Sequence, residues 1–143
     1  MDPALLDLYA RTRFRLAAPV GRWPDAFAMV TGYATTGETW PPERNEAADR
    51  ALLAELRARS PWLTRITGYD PAPEDPDDPL SEPGWAAVLP FDEACDLGRR
   101  FVQTAIYWVE GDDLSVSYCD ARRERIAIGS FRERLDAVGG RVG

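Results

Sequence analysis

Histidine and lysine are both absent from the 143 residues of this chain, and it has only two cysteines, Cys95 and Cys119. Without histidine the chain itself excludes Ser-His-Asp and Cys-His catalysis, histidine metal sites and a histidine pH switch. Without lysine it excludes a Schiff-base lysine and a Walker-type phosphate loop. Two cysteines outside a C-x-x-C pair are too few for a disulfide framework, so we expect two reduced, buried thiols.

Long apolar runs and clustered positive charge are also missing. No run approaches the roughly 20 residues that a membrane helix needs, and Asp2 and Asp7 stand where a signal peptide would be basic and then apolar. We therefore expect a cytoplasmic protein with no membrane partner. The net charge is −7, and all 17 basic residues are arginine. A phosphate backbone is bound by clustered positive charge, so nucleic acid is not an expected ligand.

The chain length and a hydrophobic content of 45% predict one globular domain over residues 1–143. Asp2-Pro3 predicts the start of a helix that continues to about Arg11. "ERNEAADRALLAELRARS" (43–60) is the clearest helix, because Ala48, Leu52 and Leu56 recur every four residues. A helix is also predicted over 92–103, and the Ser130–Glu133 capping box predicts a last short one, which Gly139-Gly140 stops. Strands are predicted around Phe14 and over 27–33, 63–69, 85–90, 104–110, 114–118 and 123–129.

The order of the middle elements is strand, helix, strand, strand, helix, strand. This order is typical of an α+β, ferredoxin-like split βαβ core with a mostly antiparallel sheet and two helices on one face. An N-terminal helix and strand, together with a C-terminal hairpin and short helix, would extend this sheet and cover its other face. We predict this fold class for the chain.

The stretch "YDPAPEDPDDPLSEPGW" (69–85) interrupts this pattern with five prolines and six acidic residues. It does not fit a calcium loop, which needs alternating ligands, a glycine at its turn and a closing glutamate. We therefore expect no metal and no cofactor here. A solvated loop is the simplest interpretation, although at about 15 residues it has the length at which loops are often functional or disordered.

Four polar residues lie at the borders of apolar elements. Thr31 follows a predicted strand, Asn45 begins a helix, Glu82 precedes the strand at Trp85, and Gln103 joins a helix to the next strand. Helix starts and strand ends can meet at one edge of such a sheet, so these side chains could form a small ligand site. The alternative is that each group caps a backbone terminus.

Short motifs in this order resemble bacterial domain-of-unknown-function family 3293. The matching segments are "YARTRF", "FAMVTGY", "WPPERN", "LSEPGW" and "FVQTAIYW", over roughly residues 9–110. The chain departs from the family pattern at three places. Ala34-Thr35 stands where the family has Asn-Pro, Arg44 stands where it has a glutamate, and Gly84 stands where it has a serine. The resemblance implies no activity. It implies that Thr31, Asn45, Glu82 and Gln103 recur together.

These observations leave three functional hypotheses. The favoured one is a non-enzymatic binding or regulatory domain whose loop acids contact a protein with a basic surface. The second is a small-molecule enzyme or binder in which Glu82 is the acid or base and Thr31, Asn45 and Gln103 orient the ligand. The third is an immunity- or antitoxin-like protein that blocks a basic partner. A homodimer is left open. The loop acids in the first hypothesis are Glu74, Asp75, Asp77 and Asp78.

Overall fold

The computed structural model describes residues 1–73 and 81–137. The helices in this part of the chain are α1 (Pro3–Arg11), α2 (Pro42–Arg59) and α3 (Phe91–Arg100), followed by a 3-10 turn at Arg132–Arg134. The strands are β1 (Arg13–Leu16), β2 (Ala26–Val30), β3 (Leu63–Tyr69), β4 (Ser81–Ala87), β5 (Ala105–Glu110), β6 (Asp113–Tyr118) and β7 (Ile126–Ser130).

The seven strands form one antiparallel sheet in the order β1-β3-β4-β2-β5-β6-β7. Side chains alternate between its two faces. In β2, Ala28 and Val30 face a cluster that includes Leu52 and Leu56 of α2. Phe27 and Met29 face the opposite cluster, which contains Phe14 and no residue of α2 or α3. The two long helices therefore cover one face, and aromatic side chains fill the other.

The aromatic face lies inside a curl of the sheet. β1 and β7 are opposite edges, yet the segment that follows β7 reaches β1. Leu135 forms a parallel bridge with Phe14, and the Asp136 N–H donates to the Phe14 carbonyl at 2.8 Å. The Asp136 carboxylate also pairs with Arg13 at 2.9 Å and accepts a hydrogen bond from the Tyr69 hydroxyl. The edges can meet in this way only because the sheet curls into a half-barrel.

The predicted ferredoxin-like split βαβ core is therefore wrong. Such a core has a sheet of four strands. Here the sheet is longer on both sides, because β1 is paired with β3 at one edge. At the other edge, β6 and β7 continue the same curled sheet beyond β5. The interior of the curl accounts for the difference. Phe131 is 2% exposed and packs against Phe14, Phe27 and Trp23, so the terminal segments belong to the same core as the middle strands.

Two further predictions need correction. The last helix is only the 3-10 turn, although the Glu133 N–H does donate to Ser130 Oγ at 3.2 Å as a capping box requires. Gly139 and Gly140 lie outside the described residues. The predicted strand 85–90 begins earlier, at Ser81.

The loop acids proposed to contact a basic partner also lie outside the described residues. None of the helices in the described part of the chain is long and apolar enough to cross a membrane.

Candidate functional site

A cavity opens where β2 leaves the sheet. The last residue of β2 is Val30, which pairs with Trp85. β4 extends four residues further toward its start at Ser81, and over this length it pairs with β3 alone. On the other side of β2, pairing with β5 stops at Met29 opposite Tyr107. The departure of β2 therefore leaves a gap between the start of β4 and the start of β5.

Thr31 closes the sheet side of this gap. Its hydroxyl donates to the Pro83 carbonyl at 2.7 Å and accepts from the Tyr33 N–H at 3.0 Å. The nitrogen and the carbonyl of a strand residue point to the same side. The Pro83 nitrogen, which has no hydrogen to donate, therefore points to the side where β2 no longer pairs with β4, and no ladder hydrogen bond is lost. A Cβ at Gly84 would lie 2.7 Å from the Val30 carbonyl oxygen, so a glycine is needed for the end of β2 to lie this close to β4.

Two amide side chains hold the loop that follows Thr31. Asn45, in the first turn of α2, accepts a hydrogen bond from the Ala34 N–H at 2.8 Å. Gln103 donates to the Tyr33 carbonyl at 2.7 Å. One residue further along the chain, the Thr104 N–H donates to Thr35 Oγ1 at 3.0 Å. These bonds fix the loop as one wall of the cavity.

Gln103 is positioned by the end of α3. Its N–H donates to the Gly98 carbonyl at 2.9 Å, and the preceding residue, Val102, adopts a φ of +60°. Glycine is preferred at such helix ends because a side chain is strained there, above all one branched at Cβ. Val102 is 52% exposed and therefore gains little from packing. Local strain of this kind tends to occur beside functional groups.

Helix α1 covers the open side of the cavity. Asp2 caps it by accepting from the Leu5 N–H at 3.0 Å. The ring of Tyr9 meets that of Tyr107 edge to face, with centroids 5.7 Å apart. Arg11 binds both carboxylate oxygens of Asp70, at 3.2 and 3.0 Å, and so ties the end of α1 to the end of β3.

The cavity, which is partly open to solvent, has a volume of about 180 Å³ and lies at one end of the half-barrel. Most of its wall is apolar and aromatic. Apolar lining residues include Leu8, Phe14, Met29, Ile66, Trp85 and Ile106. Polar lining residues include Thr12, Thr31, Glu38, Asp70, Glu82 and Gln103.

Glu82 is the carboxyl group of the cavity wall whose pKa is raised by burial. It lies on β4 opposite Gly68, on the same face as Ala86, which belongs to the interior of the curl. Burial raises the pKa of Glu82 from 4.5 to about 7. Burial also raises the pKa of Tyr9 to about 12 and that of Tyr107 above its usual value, and the charge of Glu82 adds to both. Within 1–73 and 81–137, no side-chain hydrogen bond or ion pair joins the Glu82 carboxylate to another residue.

A charged network behind the sheet holds β4 in place. Arg65 of β3 makes two hydrogen bonds of 2.8 Å to the Asp49 carboxylate on α2. The Trp85 indole N–H donates to the same carboxylate at 3.1 Å, and the Arg65 guanidinium lies 4.1 Å from the centre of the Trp85 ring. Arg65 also donates to the Gly84 carbonyl at 3.3 Å. The strand that carries Glu82 is thereby tied to α2.

The structure brings three of the four predicted site residues, Thr31, Glu82 and Gln103, to the wall of one cavity. Asn45 lies behind this wall and caps the Ala34 N–H. Thr31 and Gln103 bond backbone groups as well, so the capping alternative describes part of their role. Sequence reasoning did not propose Tyr9 or Tyr107 as site residues, because an aromatic residue in an apolar pattern is typical of a core.

The described residues offer no metal site. Within 1–73 and 81–137, no group of three or more histidine, cysteine, aspartate or glutamate side chains is arranged to hold an ion. The two thiols are buried, and burial raises the pKa of Cys95 to about 11 and that of Cys119 to about 12. A thiol reacts as its thiolate, so neither cysteine has the character of a nucleophile at neutral pH.

Comparison with known proteins identifies a family but no activity. A family model described as "Protein of unknown function (DUF3293)" matches residues 30–106, more than half of the chain. This match includes α2, β3, β4, α3 and the four predicted site residues. A search of curated proteins finds no match, and a search of solved structures finds none either. The chain belongs to the DUF3293 family of proteins of unknown function.

Proposed function

We propose that this protein binds a small, largely apolar molecule in the cavity at the end of its half-barrel, with Glu82 as the polar anchor. The observation that carries the proposal is a carboxyl group with a pKa of about 7 in a space lined mainly by apolar and aromatic side chains. Ligand sites commonly combine an apolar pocket with a few converging polar groups, one of them with a shifted pKa.

The cavity has a suitable size for such a molecule. An engineered apolar cavity of about 150 Å³ in another protein binds benzene. The space here, at about 180 Å³, can hold a single ring with a short polar substituent. Its walls are fixed before any ligand binds, because Gln103 holds the loop after Thr31 and Arg11 holds α1 over the opening. A preformed site avoids part of the entropic cost of binding.

Benzyl alcohol is a probe of matching size for this proposal. We expect it to shift backbone amide NMR signals of residues around the cavity, such as Thr31 and Gly68, with saturation in the millimolar range. Ala105 lines the cavity on the same face of β5 as Tyr107. In the Ala105→Phe variant the added ring occupies the cavity, so binding should weaken at least tenfold.

A matched control carries the same change outside the cavity. Ala51 is exposed on α2, so Ala51→Phe should bind benzyl alcohol like the wild type. Signal shifts scattered over the surface, or shifts that a folded Ala105→Phe variant leaves unchanged, would overturn the proposed site. Circular dichroism and thermal unfolding establish that both variants fold.

A second candidate function is catalysis with Glu82 as general acid or base. The pKa of about 7 favours it, because proton transfer is most efficient when the pKa of the group lies near the working pH. Tyr9 stays protonated at that pH and could donate a hydrogen bond to a reacting oxygen, whereas the Tyr107 hydroxyl already donates to the Tyr9 carbonyl at 3.3 Å. The test is conversion of a bound compound, followed by NMR, at a rate that Glu82→Gln lowers by a factor of at least 100.

A further inference from the structure

We propose that the cavity selects organic ammonium cations, in which a protonated amine on an apolar body meets the Glu82 carboxylate. This inference rests on the small-molecule binding proposed above and names the chemical class of the ligand. The charges around the cavity, its aromatic rings and the acidity of the whole chain each support it.

The charges that line the cavity are all negative. Glu38, Asp70 and Glu82 line it, and none of the described lining residues is basic. Asp70 is already paired with Arg11, and the exposed Glu38 accepts from the Trp40 indole at 3.3 Å. Glu82 is therefore the carboxylate left to meet a ligand. A carboxylate or phosphate ligand would face these groups without a cation to pair with, so the cavity excludes anions.

The aromatic rings of the wall favour a cation. Two of them already stack with guanidinium groups, with Arg65 at 4.1 Å from the centre of the Trp85 ring and Arg15 at 3.8 Å from the centre of the Tyr69 ring. The other rings, Tyr9, Phe14 and Tyr107, carry no arginine from the described residues. An ammonium group or its adjacent methylene close to these rings is attracted by their negative faces.

A cation also balances the cost of ionising Glu82. Burial disfavours the charged carboxylate, which is why the pKa of Glu82 is raised to about 7. A bound ammonium supplies the missing opposite charge and donates hydrogen bonds, whereas an alcohol supplies only a hydrogen bond. The net charge of −7 adds a long-range attraction for cations.

Binding of an ammonium should therefore depend on pH, because only ionised Glu82 forms the ion pair. Affinity should rise about tenfold between pH 6 and pH 8 as the ionised fraction increases around a pKa of about 7. Asp70, Tyr9 and Tyr107, which also line the cavity, do not reproduce this rise. Hydrogen bonds from Arg11 hold the pKa of Asp70 below its usual value, and burial raises those of Tyr9 and Tyr107. The remaining titratable side chains that line the cavity are those of Glu38 and Tyr69.

The experiment compares benzylamine, benzyl alcohol and sodium benzoate on the full chain by NMR titration at pH 6 and pH 8. At pH 8 we expect benzylamine to bind at least tenfold more tightly than benzyl alcohol, and benzoate not to bind. Glu82→Gln should reduce benzylamine affinity to the level of the alcohol and remove its pH dependence. Glu46→Gln, which neutralises an exposed carboxylate on α2 outside the cavity, should leave the preference for the amine and its pH dependence in place.

The outcomes separate the two proposals. Equal binding of the amine and the alcohol would overturn the ammonium inference while the small-molecule site stands. Tighter binding of benzoate, or a preference for the amine that survives in Glu82→Gln, would also overturn the inference. Binding of none of the three compounds would overturn both. Because Glu82→Gln removes the charge of a half-buried carboxylate, the variant is expected to fold, and its thermal unfolding checks this directly.

Discussion

At pH 8, replacing Glu82 by glutamine is expected to raise the free energy of unfolding by about 3 kcal/mol. Burial raises the pKa of this carboxyl from 4.5 to about 7 in the folded chain. Between these values the folded state keeps a proton that the unfolded state has released, so wild-type stability falls as the pH rises from about 4.5 to 7. Glutamine has no charge to bury and does not show this loss.

The sign of the effect makes it a sharp test. At pH 4.5 the two proteins should differ by less than about 0.5 kcal/mol, because Glu82 is then protonated in the folded chain. The gap should open through pH 7 and stay constant above it. Urea unfolding at a series of pH values measures the difference. The exposed Glu46→Gln is the control and should show no such gap. A destabilised Glu82→Gln protein at pH 8 would contradict the burial of the carboxyl.

The second large effect is expected at Asp49. Asp49→Ala should lower the free energy of unfolding by about 3 kcal/mol, because it leaves the Arg65 guanidinium and the Trp85 indole N–H without their acceptor. The Asp49 side chain is 12% exposed, and that of Arg65 is 30% exposed, so water replaces the lost bonds only in part. Chemical unfolding at pH 7 measures the loss.

The matched control is an ion pair at the surface. Asp7 pairs with Arg11 at 2.9 Å but is 76% exposed, so Asp7→Ala should change stability by less than about 0.5 kcal/mol. Asp49→Asn keeps an acceptor for the Trp85 N–H and should fall between the two. An Asp49→Ala variant as stable as Asp7→Ala would show that the network does not hold β4 against α2.

Local signals were sufficient for α1 and α2, although not for the helix predicted after Ser130. Asp2-Pro3 marks the start of α1, and Pro42 occupies the first turn of α2, where the missing proline N–H has no cost. The spacing of Leu52 and Leu56 identifies the face of α2 that is buried. These features depend on neighbours within one or two turns, and such neighbours can be recognised in the sequence.

The curl of the sheet depends on distant contacts and could not be recognised in this way. "FAMVTGY" is apolar enough to predict a strand up to Tyr33, but the chain leaves the sheet at Thr31. The reason lies in α2, since a Cβ at Gly32 would come within 2.9 Å of the Ala48 carbonyl group. Pro83 similarly disfavours a strand at the start of β4, and it is tolerated because β2 has left that side.

The sequence pointed to three of the polar residues that line the cavity and to none of its aromatic walls. A carboxylate, a hydroxyl and an amide at the borders of apolar segments pointed to Thr31, Glu82 and Gln103. The sequence also predicted Asn45 as a neighbour of these residues. In the structure, Asn45 lies behind the cavity wall and holds the loop that follows Thr31. Tyr9 and Tyr107 come together only because α1 folds across the open end of the half-barrel, and no spacing along the chain encodes that contact.

The most direct measurement of the central claim is the NMR titration of the Glu82 carboxyl carbon in wild-type protein, without ligand and with saturating benzylamine. Without ligand we expect a midpoint of about 7, and with benzylamine we expect a lower midpoint, because the bound ammonium stabilises the ionised form. A midpoint near 4.5 without ligand, or one that benzylamine does not move, would contradict a buried anionic anchor for an organic cation.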